Sequence, residues 1–121
     1  MPVEKILIVD DSPTDRQHLL ETLSTHGFNC VTAENGAEAI AKAKDELPDL
    51  ILMDIIMPGT NGYEATRAIT RNEATRNIPV IMCTAKDQST DRLWGLRQGA
   101  KDYVTKPIDH HALIQKIKAL A

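Results

Sequence analysis

Short apolar runs alternate along this chain with longer, more polar stretches of helical period, the pattern of an α/β fold built on a parallel sheet. The first run, about Lys5 to Val9, leads into Ser12-Pro13-Thr14-Asp15, which reads as a helix start with Ser12 at the N-cap and Pro13 in the first helical position. Leu19, Leu20 and Leu23 give that helix a core face, and Gly27 follows its end. A second strand covers about Asn29 to Ala33. Beyond it Asn35-Gly36-Ala37-Glu38 has the form of a capping box, with Asn35 as the cap and Glu38 expected to reach back. The helix that follows turns Ala39, Ile40 and Ala43 to one side and stops before Pro48, whose ring disfavours helical backbone in the residue preceding it.

A third strand, Leu50 to Met53, is closed by Asp54, and the loop from Met57 to Gly62 holds one proline and two glycines, enough for a sharp turn before a helix near Tyr63 to Arg71. Strand four is Pro79 to Cys83 with Thr84 at its tip, followed by a helix from about Ser89 to Gln98 that includes Trp94 and Gly95. Strand five, Tyr103 to Thr105, runs into Lys106-Pro107; Asp109 can then cap a last helix carrying Leu113, Ile114, Ile117 and Leu120. With 121 residues and no repeat, linker or low-complexity stretch, residues 1–121 are expected to form a single domain.

Two of these strands end in acid. Asp10 and Asp11 follow Ile6-Leu7-Ile8-Val9, and Asp54 follows Leu50-Ile51-Leu52-Met53. If the two strands are parallel neighbours, three carboxylates converge at one end of the sheet, and like charges that close call for a divalent cation between them. In open parallel sheets the ligand sits beyond the carboxyl ends of the strands, where strand order reverses, so the polar tips are the expected site. Gathered there are Asp10, Asp11, Asp54, Thr84 and Lys106. The acids would hold Mg²⁺, one of them would act as nucleophile, and the lysine and hydroxyl would bind a phosphoryl group.

Composition narrows the function further. A net charge of -3 with 26% charged residues leaves no basic footprint for nucleic acid or an anionic membrane. The apolar runs of about five residues fall far short of the roughly 20 that span a bilayer, and Met1-Pro2-Val3-Glu4-Lys5 lacks a signal-peptide profile, so a cytoplasmic location is expected. Cys30 and Cys83 sit inside apolar runs, without metal-ligand spacing, as reduced and buried thiols would. His18, His26, His110 and His111 are scattered, with no acids at ligand spacing, and read as surface histidines.

ILIVDDS at Ile6 to Ser12, LILMDIIMPGTNG at Leu50 to Gly62, the Thr84-Ala85 pair and GAKDYVTKP at Gly99 to Pro107 together resemble the receiver domain of two-component response regulators, over essentially the whole chain. The stretch from Pro79 through Lys86-Asp87 and Trp94-Gly95 to Asp102-Tyr103 is similar, more narrowly, to stand-alone CheY-like regulators of the chemotaxis-like systems that control type IV pili and twitching motility. That resemblance implies a doubly wound, flavodoxin-like sheet of order 2-1-3-4-5 with five helices on its two faces; the strand order is the one known for CheY, not a reading of the pattern. It implies that Asp54 accepts a phosphoryl group from a sensor histidine kinase of chemotaxis type, and that Asp11 and Asp54 ligate Mg²⁺ with the backbone carbonyl of Ile56 while Asp10 acts through water and by charge. Lys106 would pair with phosphoryl oxygens, Lys106-Pro107 would be a cis peptide, Thr84 would donate its hydroxyl after modification, and Tyr103 would swing inward in response.

The output surface implied is the face made by the fourth helix, fifth strand and fifth helix, presented to a downstream protein by a monomer or weak dimer. Ile56 and Lys86 occupy positions that flank the path of the hydrolytic water in this family, so they bear on the lifetime of the phosphorylated form. A phosphate sink for a shared kinase is the alternative within the class. A phosphohydrolase of haloacid dehalogenase type would want an aspartate two residues beyond the nucleophile, where Ile56 stands, and a flavodoxin-like cofactor carrier would want stacking aromatics, which make up only 3% of the chain.

Overall fold

β1 (Lys5–Val9), α1 (Pro13–Thr25), β2 (Asn29–Ala33), α2 (Gly36–Glu46), β3 (Leu50–Asp54), α3 (Gly62–Arg71), β4 (Val80–Thr84), β5 (Asp102–Thr105) and α4 (His110–Ala119) follow one another in the computed structural model, which describes residues 3–55, 57, 59–84 and 96–120. The strands form one parallel sheet of order β2-β1-β3-β4-β5. β1 lies between β2 and β3, with Val9 opposite Ala33 on one side and Met53 on the other. The two acid-tipped strands are therefore neighbours. The described residues hold four helices where five were expected: the helix expected from about Ser89 to Gln98 lies largely outside them, with Leu96 and Arg97 helical at its end.

Successive strand side chains point to opposite faces, and the apolar runs use both. Leu7, Val9, Ile51, Met53, Val80 and Met82 join Ala39 and Ala43 of α2 and Ala65 and Ile69 of α3 in one core. Ile6, Ile8, Leu50, Leu52, Ile81 and Cys83 join Leu19 and Leu23 of α1 and Leu113, Ile114 and Ile117 of α4 in the other. Carried one step further, the alternation puts Asp10, after Ile6 and Ile8, and Asp54, after Leu50 and Leu52, on the face covered by α1 and α4. Lys106, two residues past Val104, follows the same rule. The reactive groups thus share a face because their spacing from the strand interiors is even.

Helix starts follow local chemistry. Ser12, Asn35 and Asp109 accept bonds from the backbone N–H of Asp15, Glu38 and Ala112, as the sequence indicates, and Asn61 does the same for Glu64, a cap the loop-like Gly59-Thr60-Asn61-Gly62 concealed. The box at α2 is only half formed: the Glu38 carboxylate runs forward to Lys42 Nζ at 3.2 Å instead of back to Asn35. α2 ends on Leu47, a left-handed residue with φ 45° that is 55% exposed. At the opposite end of the sheet from the acid tips, Asp49 accepts the backbone N–H groups of Glu4 and Lys5, both at 2.9 Å, and ties the start of β3 to that of β1. Those bonds hold its carboxyl below the ordinary range. Among the described residues no helix is long and apolar enough to cross a membrane.

Candidate phosphoacceptor site

The site begins with Asp10. It is 1% exposed, its Oδ1 accepts the Ser12 N–H at 2.9 Å, and its carbonyl accepts a bond from Arg16 Nη1 at 2.8 Å, so the turn from β1 into α1 is built around it. Arg16 also reaches Glu34 at 3.4 Å. Asp11 is exposed beside it, and Asp54 closes β3 at 7% exposure. One carboxylate oxygen from each of Asp10, Asp11 and Asp54 lies within 4.8 Å of the others. An all-oxygen set of this charge suits a hard divalent cation such as Mg²⁺, which takes a few carboxylates and keeps several waters.

Lys106 reaches in from the end of β5. Its Nζ is 3.0 Å from Asp10 Oδ2, 3.1 Å from Asp54 Oδ1 and 3.4 Å from Asp15 Oδ2. The Lys106-Pro107 peptide is cis. Burial works against the charged lysine, but the bond to Asp10 and the charges of Asp54 and Asp10 outweigh it and lift the ammonium above the ordinary lysine range. Asp54 moves the other way from a usual paired acid. Burial, and next the charge of Asp10, push its carboxyl up to about 6, against the pull of Lys106. Cys83 lines the same cleft, of about 210 Å³, and burial pushes its thiol up to about 12, which leaves it unreactive. Cys30, expected to be buried like Cys83, is only half-buried on β2, and both thiols are free.

A family model described as the response regulator receiver domain matches residues 6–118. The chain belongs to this family. It is 53% identical over 116 residues to Protein PilH of Pseudomonas aeruginosa, covering 96% of each chain. Its fold matches the chemotaxis protein CheY4 of Vibrio cholerae with a TM-score of 0.92 and 30% identity, over 98% of this chain and 99% of that one. The receiver domain of the Pseudomonas aeruginosa sensor histidine kinase PA1611 matches with a TM-score of 0.89 and 32% identity, over 97% and 96% of the two chains. That structure has a magnesium ion coordinated in the active site cleft.

Of the residues singled out in the sequence of this receiver, the fold brings Asp10, Asp11, Asp54 and Lys106 together. Thr84 ends β4 in register with Thr105. Tyr103, on β5, is half-buried against the core beneath α2 and α3, with Lys116 Nζ 6.0 Å from its ring centroid. Ile56, Ala85, Lys86 and Trp94 lie outside the described residues. His26 and His110 are tied to Thr22, through its carbonyl and its hydroxyl respectively, both at 2.8 Å. Two contributors escaped the sequence reading, Asp15 and Arg16. Both stand in the first turn of α1, and helical side chains lean toward the N-terminus, which here means toward the strand tips. A charged residue four to six positions past a strand-ending acid was the available signal.

Proposed function

We propose that this receiver is a phosphorylation switch that takes a phosphoryl group from the phosphohistidine of a sensor kinase onto Asp54 in a Mg²⁺-dependent reaction. The observation that carries the reading is the geometry of one carboxylate, Asp54, held in a three-acid cluster with an ammonium 3.1 Å from its Oδ1. An Asp54 oxygen would attack phosphorus in line, forming the P–O bond as the P–N bond to the imidazole breaks and its electron pair leaves with the ring. In the metal-free chain burial raises the Asp54 carboxyl to about 6, so it is still ionised at neutral pH. Lys106, already beside Asp54, would follow the charge onto the phosphoryl oxygens. Asp10, Asp11 and Asp54, with the carbonyl of Ile56 that the family resemblance adds, would hold Mg²⁺, which offsets negative charge on the transferring group.

The partner implied is a histidine kinase of chemotaxis type, and the likeness to PilH supports a role in chemotaxis-like control of pili and twitching. Output would leave through β5, α4 and the segment from Ser89 to Gln98, with Thr84 and Tyr103 relaying the change. The test is intact-mass spectrometry after incubation with a small acyl-phosphate donor. One phosphoryl adduct is expected with Mg²⁺, and none in Asp54→Asn or after chelation; an undiminished adduct in Asp54→Asn would refute the assignment. Chemical-shift changes on phosphorylation should extend from Asp54 to Tyr103 and the start of α4. Changes confined to the cleft would favour a phosphate sink instead.

A further inference from the structure

Lys106 has three carboxylates around its ammonium, but only two of them belong to the metal cluster. Asp10 and Asp54 lie in the group of converging oxygens, whereas Asp15, at 3.4 Å, does not. Asp15 is also the most exposed of the three, at 49% of its side chain against 2% and 9%. Its backbone is fixed, because its N–H bonds to Ser12 Oγ at 3.3 Å in the cap of α1. Asp15 and Lys106 together form the boundary between two hollows. They line the acidic cleft, and they line a neighbouring cavity of about 190 Å³ walled by His18, Leu19, Pro107, Ile108 and His110. The ammonium therefore has both a partner and room on the side away from Asp54.

A divalent cation among Asp10, Asp11 and Asp54 would share two of its carboxylates with Lys106, and its charge would repel the ammonium. Either the lysine gives way or the cation binds poorly. We propose that Asp15 is a positioning residue for Lys106, a second anchor toward which the ammonium shifts when a cation enters, so that cation and lysine do not compete for Asp10 and Asp54. This inference rests on the reading of the cluster as a Mg²⁺ site. A carboxylate outside the metal ligands thus sets how readily the receiver takes up its cation. Short acids one turn into the helix can do this because the Cα–Cβ bonds there lean back toward the strand tips.

Titration calorimetry with Mg²⁺ on four proteins tests the idea: the unsubstituted chain, Asp15→Asn, Lys106→Ala and the double substitution, with Asp15→Glu as rescue. Lys106→Ala should bind more tightly, since the competitor is gone. Asp15→Asn should bind about tenfold more weakly in the presence of Lys106 and by less than about twofold in its absence, the non-additivity of residues that act on one another. Asp15→Glu should recover most of the loss. Without any metal activity assay, the Lys106 side-chain resonance should shift on adding Mg²⁺ in the unsubstituted chain and shift differently in Asp15→Asn. An equal tenfold loss with and without Lys106 would mean that Asp15 merely attracts the cation through space, and the positioning role would be overturned. Absence of Mg²⁺ binding by the unsubstituted chain would instead sink the metal reading itself and this inference with it.

Discussion

Asp54 is the residue at which function and stability pull apart. Its folded pKa of about 6 lies above the ordinary 3.8, so between those values the folded chain binds the proton more readily than the unfolded chain does. The sign follows: above pH 6 the ionised, buried carboxylate destabilises the metal-free fold, and the penalty is relieved as pH falls toward 4. A shift of this size corresponds to about 3 kcal/mol. Asp54→Asn should therefore raise the metal-free denaturation midpoint at pH 7.5 and lose that advantage near pH 4, as urea titrations at the two pH values would reveal. Asp10 is different, although like-charge crowding alone would make its removal favourable too. It accepts the Ser12 N–H and pairs with Lys106, so Asp10→Ala leaves the half-buried Ser12 N–H without that acceptor and Lys106 with only Asp54 and Asp15, and should destabilise the fold by about 1 kcal/mol. At this scale the acids and the lysine were legible, because each ends a strand. Asp15 and Arg16 were not, because their role depends on where a helix turn leans and not on what precedes them.

Between elements, the site depends on how closely α3 approaches the end of β3. A Cβ at Gly62 would stand 2.1 Å from the carbonyl oxygen of Asp54 and 2.8 Å from Ile55 Cα, both backbone atoms that cannot swing aside. Gly62 N–H also donates to the Ile55 carbonyl at 2.8 Å. Gly62→Ala should displace the backbone that carries Asp54 and destabilise the fold by about 1–3 kcal/mol, with slower phosphorylation even where melts show the variant folded. The opposite case is Leu47, whose left-handed conformation strains any residue with a Cβ and whose exposed side chain has little packing to lose. Leu47→Gly should stabilise by about 1 kcal/mol, read as a higher midpoint in chemical denaturation; an unchanged or lower midpoint would show that the leucine contacts outweigh the strain. Helix starts were readable wherever a capping side chain preceded a periodic run. The close approach at Gly62 was not, since a glycine between Asn61 and Tyr63 reads as part of the loop.

For the molecule as a whole, apolar runs disclose which segments are strands but not which strands are neighbours. The order β2-β1-β3-β4-β5 was implied by family resemblance, and the register then shows why it matters: only with β1 beside β3 do Asp10, Asp11 and Asp54 meet. Because that meeting happens only in the folded chain, Mg²⁺ should stabilise it, by about 2.7 kcal/mol at a hundredfold excess over Kd. Thermal melts at rising Mg²⁺ should climb for the unsubstituted chain and stay nearly flat for Asp11→Ala. β3 itself carries an aspartate near each end, Asp49 held below its ordinary pKa by two backbone N–H groups and Asp54 held above it by burial and a neighbouring charge. Falling pH first relaxes the crowded end and only later, below the ordinary aspartate range, releases the tied one. Acid thus relieves the strand at Asp54 before it loosens it at Asp49.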